Sequence, residues 1–209
     1  EGKITKELYW DPFDFITEQD ITSSEAIDRL DELLKSSVEY RKISDVEVGL
    51  YLSGGLDSTL IGSLLTTDTR IKSFNVDYDE IFDGYKGEYK EAKFSADQIN
   101  VDLIHKSISF EEFKSIISDY PFLQDDLIGD EVGIPLYFLG KLTNLNGLKV
   151  VQVGEGADEL FYGYEHWLRF VKLYKRIPKF HTIGSKNNLK SHRANLLLNI
   201  IQNNNPFPG

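Results

Sequence analysis

Two short stretches of this 209-residue chain hold the side chains that could do chemistry. Ser53-Gly54-Gly55-Leu56-Asp57-Ser58 offers hydroxyls, glycines and one carboxylate in a single loop-sized segment. Gly154-Glu155-Gly156-Ala157-Asp158-Glu159 sets carboxylates around a pair of glycines. In the first stretch Gly54 and Gly55 let the backbone approach an anion with no Cβ in the way, and Ser53 and Ser58 add hydroxyl donors. No Lys follows the glycines, so this is not the Gly-Lys-Ser/Thr of a Walker loop, whose Lys lies on the terminal phosphates. An acid, Asp57, stands where a cation might be wanted. A carboxylate beside phosphates is repelled unless a divalent cation bridges them, so Asp57 predicts Mg²⁺ at the site rather than direct contact.

The surrounding pattern supplies the elements that must hold these residues. Residues 46–52 alternate like a strand, with Val46, Val48, Leu50 and Leu52 on one side, and residues 56–65 carry Leu60, Ile61, Leu64 and Leu65 at helical spacing. The glycines therefore fall at a strand-to-helix junction, where the unpaired N–H groups and positive dipole end of the helix face a ligand. Residues 148–153 read as a buried strand running into the second stretch, and residues 157–174 as a long helix ending before Pro178. Elsewhere, Thr22-Ser23-Ser24-Glu25 is a capping box opening a helix with Ile27, Leu30, Leu34 and Val38 along one face. A strand over 71–76, a loop over 77–87, a helix over 88–99, a strand over 101–108 and helices over 111–118 and 134–142 complete the reading. Strands alternating with helices predict a parallel α/β sheet with ligands outside the carboxyl ends of its strands, where both stretches fall. After Pro178 the chain is polar apart from an apolar patch at 196–201 and ends in an Asn-rich, Pro-containing segment; there is no internal repeat.

Composition narrows the class. At 41% hydrophobic the chain can form one sizeable core. No apolar run approaches a membrane span and no signal peptide is visible, which points to a cytoplasmic protein. The chain has no Cys, which excludes disulfides and thiolate metal sites, and its four His (His105, His166, His181, His192) lack ligand spacing. A formal charge of −11 argues against a general nucleic-acid surface. The chain starts at Glu1 and contains no Met, which suggests a fragment or an incomplete record.

Ser53-Gly54-Gly55-Leu56-Asp57-Ser58 resembles the pyrophosphate loop of ATP pyrophosphatase enzymes, which cleave ATP between its α and β phosphates. The run from Gly154 through Ala157, Asp158 and Glu159 to Tyr164 is similar to the second signature of the asparagine synthetases and their amidotransferase relatives. Weaker similarities lie at residues 44–49, at Ser73-Phe74-Asn75-Val76, and at Asp130 with Pro135-Leu136-Tyr137. The resemblance covers residues 1 to about 170. It implies an ATP pyrophosphatase (adenine-nucleotide alpha-hydrolase-like) fold with strand order 3-2-1-4 and helices on both faces. Residues 1–20 then match the connector that follows an N-terminal glutaminase domain in the family, 21–175 the synthetase domain, and 176–209 a remnant of the helical region. The long helical remainder, with its basic phosphate contact, has no counterpart here.

The resemblance also implies roles. Leu52, Ser53, Gly54, Gly55, Asp57, Ser58, Val76, Val153 and Gly154 match positions that bind ATP and pyrophosphate, with Asp57 and Asp158 on Mg²⁺. Glu155, a carboxylate between glycines with little backbone cover, matches the general base that takes a proton from incoming ammonia. Tyr162 replaces a glycine common in the signature, and Tyr164, His166 and Trp167 could line the acceptor pocket or simply pack their helix. The implied reaction is ATP-dependent amidation of a carboxylate through an acyl adenylate, releasing AMP and pyrophosphate. Aspartate is the default acceptor, relatives amidate sugars or peptides or close β-lactam rings, and a homodimer is left open. Ammonia would come from a glutaminase domain, since glutamine hydrolysis in the family uses an N-terminal Cys that this chain lacks. A non-catalytic nucleotide-binding module and an RNA-modifying enzyme with the same loop are the alternatives, the latter disfavoured by the missing cysteines and basic surface. No nucleic acid and no membrane is expected as partner.

Overall fold

The computed structural model describes residues 3–11, 21–66, 70–79, 87–126, 129, 132–161 and 163–176. The remnant assigned to 176–209 lies outside the described residues apart from its first position, as do Asp130, Tyr162, His181 and His192. Helix α1 (Ser23–Arg41) opens with the capping box expected of it. The Thr22 Oγ1 accepts from the Glu25 N–H (3.3 Å) while Glu25 Oε2 accepts from the Thr22 N–H (2.8 Å). The Thr22 hydroxyl also donates to Glu25 Oε2 (2.7 Å), and the backbone bond first and this one second favour the ionised form and hold the Glu25 carboxyl below its ordinary range. Only the far end of the expected apolar face is covered, since Val38 is 2% exposed whereas Ile27 is 66% exposed.

A four-stranded sheet follows, built from β1 (Val48–Tyr51), β2 (Lys72–Tyr78), β3 (Asp102–Ile108) and β4 (Val150–Gln152). Its order is β3-β2-β1-β4 and every pair is parallel, as expected. Parallel neighbours require crossovers. These are α2 (Leu56–Leu65), α3 (Tyr89–Ile99), and the pair α4 (Phe110–Ile117) and α5 (Gly133–Leu145) separated by a 3-10 turn (Tyr120–Leu123). Asn100, in the left-handed region at φ 56°, ends α3.

β1 is shorter than the 46–52 read from alternation, because Val46 is exposed before the strand begins. Nor does it have a wet face. Leu50 packs with Leu52, Leu65 and Ala96 on the side of α2 and α3, while Gly49 is buried on the other, where a Cβ would press on Leu148 and Phe74. A central strand covered on both faces is the parallel-sheet norm. The second core joins Val76 and Ile108 to Ile134 and Phe138 of α5. Beside it Ser109 and Glu112 form another capping box, and a Lys106 hydrogen bond, with those of Ser109, holds Glu112 down to about 2.

The helix read over 157–174 is two helices, α6 (Ala157–Phe161) and α7 (Glu165–Arg176). Between them the Gly163 N–H closes back on the Asp158 carbonyl at 3.0 Å. A Cβ on residue 163 would overlap the Asp158 carboxylate, so a glycine is what permits the break.

Candidate active site

The two acid-bearing stretches leave the carboxyl ends of adjacent strands, β1 and β4, and the fold presses them together. A Cβ added at Gly154 would lie 2.9 Å from the Ser58 nitrogen and 3.1 Å from the Asp57 carbonyl carbon and Cβ. The β4 loop therefore rests on the first turn of α2, and only a residue without a side chain permits that approach.

Within the first loop, Leu52 is buried and its N–H donates to the Phe74 carbonyl (3.0 Å), extending the β1–β2 ladder by one residue. Gly54 takes φ +87°, and a Cβ there would run into the backbone of Glu91 and Ala92. Its lack of a side chain thus seats the loop on α3, a different duty from the anion approach expected of it. Gly55, whose Cβ would meet only the Ser53 hydroxyl at 3.3 Å, is the N-cap of α2 and has no side chain to satisfy the helix's first N–H groups. That end keeps free donors for an anion. The Ser53 and Ser58 hydroxyls are 3.0 Å apart, Ser53 Oγ accepts from the Gly55 N–H (3.2 Å), and Ser58 Oγ donates to the Gly55 carbonyl (3.3 Å). Asp57 is half-buried in the first turn.

The second loop is more open. Glu155 is exposed, Gly156 takes φ +90°, and Asp158 is half-buried in the first turn of α6. Glu159 Oε1 accepts from the Tyr164 hydroxyl at 2.5 Å. That bond first, and then the charges of Glu159, Asp158 and Glu155, push the Tyr164 phenol up to about 12. The Tyr164 ring also stacks on His166 and meets Trp167 edge-on.

Among the described residues no Lys, Arg or His pairs with Asp57, Glu155 or Asp158. Hard carboxylate oxygens without cationic partners are a donor set that fits Mg²⁺. The described residues hold no cluster of three or more potential metal ligands. Mg²⁺ is commonly held by one or two carboxylates with phosphates completing its shell, so the lack of a larger cluster does not conflict with it.

Val76 stands near the carboxyl end of β2 with its side chain in the α5 core, so only its backbone is available to a ligand. Val153, just past β4, is exposed.

One constellation is absent from the sequence reading. Ser73, Asn75 and Asp77 are buried on the α3 side of β2, and β3 places His105 and Ser107 opposite Asn75 and Asp77. The Asn75 Nδ2 donates to the Leu52 carbonyl (2.9 Å), the Asn75 Oδ1 lies 2.9 Å from His105 Nδ1, and His105 Nε2 lies 3.3 Å from Asp77 Oδ1. Ser107 Oγ also donates to Asp77 Oδ1 (3.3 Å), and Tyr89 of α3 lies over the imidazole with ring centroids 4.2 Å apart. Alternate polar residues in a buried strand were the available signal. Their partners could be read only once the β2–β3 register was known.

Comparison with known proteins gives the family. The family model for asparagine synthase matches residues 29–205, past the point near 170 where the motifs cease. A putative glutamine-hydrolyzing asparagine synthetase 2 of Methanocaldococcus jannaschii is 31% identical over 193 residues, covering 88% of this chain and 36% of that protein. Glutamine-hydrolyzing asparagine synthetase 1 of Bacillus subtilis is 35% identical over 150 residues, covering 70% of this chain and 23% of that protein. This chain thus spans little more than a third of the first relative and less than a quarter of the second. One solved structure, an NH3-dependent NAD synthetase from Campylobacter jejuni, overlaps with a TM-score of 0.40 at 16% identity over 88% of this chain and 85% of that chain, a likeness too weak to bear on fold or function. With a match running over most of its length and through both acid-bearing loops, the chain belongs to the asparagine synthase family.

Proposed function

We propose that this chain is the synthetase part of a carbon–nitrogen ligase that amidates a carboxylate at the expense of ATP. The observation that supports the reading is the seating of Gly154 on the first turn of α2, which brings the second acid-bearing loop against the first. A substrate carboxylate oxygen attacks the α-phosphorus, the bond to the β-phosphate oxygen breaks, and pyrophosphate leaves onto the Ser53, Gly54, Gly55 and Ser58 cradle. Activation is required because a carboxylate is a poor electrophile. Ammonia then attacks the acyl carbon, AMP departs, and Glu155 takes the proton from nitrogen. Leu52, Val76, Val153 and Gly154 contribute backbone to the nucleotide. Asp57 and Asp158 would hold Mg²⁺, which supplies charge neutralisation for the departing phosphates.

The chain has no Cys to attack glutamine. Nitrogen therefore enters as free ammonia or from a partner glutaminase domain. Aspartate is the acceptor to test first, and the cytoplasm is the compartment proposed for it. No helix among the described residues is long and apolar enough to cross a membrane.

The test separates the chemical steps. With aspartate present, exchange of labelled pyrophosphate into ATP should be measurable, and Glu155→Gln should leave it intact while lowering amide formation by roughly 10² to 10⁴. Equal loss of both activities would make Glu155 part of the nucleotide site, and no carboxylate-dependent exchange in the wild type would reduce the protein to a nucleotide-binding module.

A further inference from the structure

The chain Asp77–His105–Asn75 ends on a peptide that matters. Leu52–Ser53 is the first peptide of the phosphate loop, and because a trans peptide is planar, the direction of the Leu52 carbonyl fixes the opposite direction of the Ser53 N–H. Asn75 Nδ2 holds that carbonyl toward β2 at 2.9 Å. The Ser53 N–H is thereby turned away from β2.

The hydrogen-bond roles upstream follow from this one contact. With Nδ2 committed to Leu52, the atom Asn75 presents to His105 is its Oδ1, an acceptor, so His105 Nδ1 must carry a proton. The other ring nitrogen faces Asp77 Oδ1 at 3.3 Å. Asp77 is itself 9% exposed, and a buried carboxylate needs hydrogen-bond partners such as the imidazole and the Ser107 hydroxyl. Tyr89 of α3 lies over the ring. The Glu88 carboxyl is raised, by desolvation first and then by the charges of Glu91 and Asp77. Lys106, the neighbouring cation, is instead bonded to Glu112 at 2.8 Å.

We propose that Asn75 and His105 are positioning residues for the phosphate loop: His105, set between Asp77 and Asn75, holds the Asn75 amide on the Leu52 carbonyl and so presets the loop for the pyrophosphate part of the nucleotide. The clamp rests on the ATP-binding reading above. It makes phosphate affinity depend on residues that never touch the ligand.

The test is calorimetric binding of inorganic pyrophosphate with Mg²⁺ to wild type, Asn75→Ala, His105→Ala and His105→Gln at one pH. Asn75→Ala should bind roughly tenfold more weakly, as expected for one lost buried hydrogen bond. His105→Ala should lose a similar factor, and His105→Gln, whose amide can still donate to Asn75 Oδ1, should recover most of it. Wild-type affinity in Asn75→Ala or in His105→Ala, or no recovery in His105→Gln, overturns the clamp. Should the variants fold poorly, nitrogen NMR of the wild type decides, because a His105 ring without a proton on Nδ1 also overturns it. A wild type that binds neither pyrophosphate nor Mg-ATP sinks the nucleotide reading itself, an outcome distinct from binding that ignores His105.

Discussion

The loop after β1 and the loop after β4 carry similar residues, glycines beside acids, but are held in different ways. In the first, Leu52 and Ser58 are buried, the hydroxyls of Ser53 and Ser58 are both engaged, and Gly54 is wedged against the backbone of α3. In the second, Glu155, Glu159, Leu160 and Phe161 are exposed, and a Cβ on Gly156 would meet nothing among the described residues. The contrast matches the two tasks proposed. Binding an invariant anion is served by donors fixed in advance by packing, since they cost no reorganisation when charge arrives. The proposed acceptor loop is held instead by Gly154 on α2 and by bonds within itself.

The largest test of that contrast is a methyl group. Gly54→Ala must adopt φ +87° and push into the α3 backbone, so it should cost about 3 kcal/mol in chemical denaturation and abolish pyrophosphate binding. Gly156→Ala has an equally unfavourable φ of +90° but open space around it, so about 1 kcal/mol is expected. Equal losses would show that packing does not distinguish the loops.

Much of this was legible because it is local. The Ser53–Ser58 loop, the Thr22–Glu25 capping box and the parallel run of the strands each depend on neighbours in sequence or on alternation of elements, while the strand order came with the family resemblance, and the structure agrees with all of them. What escaped depends on distant partners. The apolar stripe of α1 exists, but Ile27 finds no neighbour to cover it among the described residues, since periodicity reports a face and not what packs on it. The helix drawn through 157–174 overran its break at Gly163, a signal that was present in the residue type. The Asn75–His105–Asp77 chain needed the register of β2 on β3. The place of Gly54 against α3 likewise needed the fold.

A second test asks whether the acids differ as the loops do. Asp57 lies in the well-packed loop without a cationic partner among the described residues, so Asp57→Asn should weaken Mg²⁺-dependent ATP binding by well over tenfold, on the order of 2 kcal/mol for a lost charged contact. Glu159→Gln, in the open loop and already bonded to Tyr164, should leave that binding within about twofold, since an exposed pair contributes little. ATP affinity that is the same with and without Mg²⁺ would remove the reason given for Asp57. A loss at Glu159 as large as at Asp57 would make the second loop part of the phosphate site.

The smallest effect concerns a side-chain bond within the open loop. Glu159 accepts from the Tyr164 hydroxyl, and the phenol is raised from its ordinary 10.0 to about 12, while the same bond lowers the Glu159 carboxyl. The signs then define a window. The tyrosine contribution is fully present below about pH 10 and is lost as pH rises through about 12. The glutamate contribution is present above the ordinary carboxylate range and is lost as pH falls through its lowered pKa. Both groups are open to water, so thermal stability should hardly move in Tyr164→Phe. The readout is instead the phenolate absorbance of wild type minus Tyr164→Phe, which isolates one of the eleven tyrosines. A difference titrating near 12 means that the second loop is partly ordered by its own residues before any acceptor arrives. A difference near 10 means that the bond does not persist in solution, and then the contrast between a packed phosphate loop and an open acceptor loop is sharper than the folded geometry alone makes it.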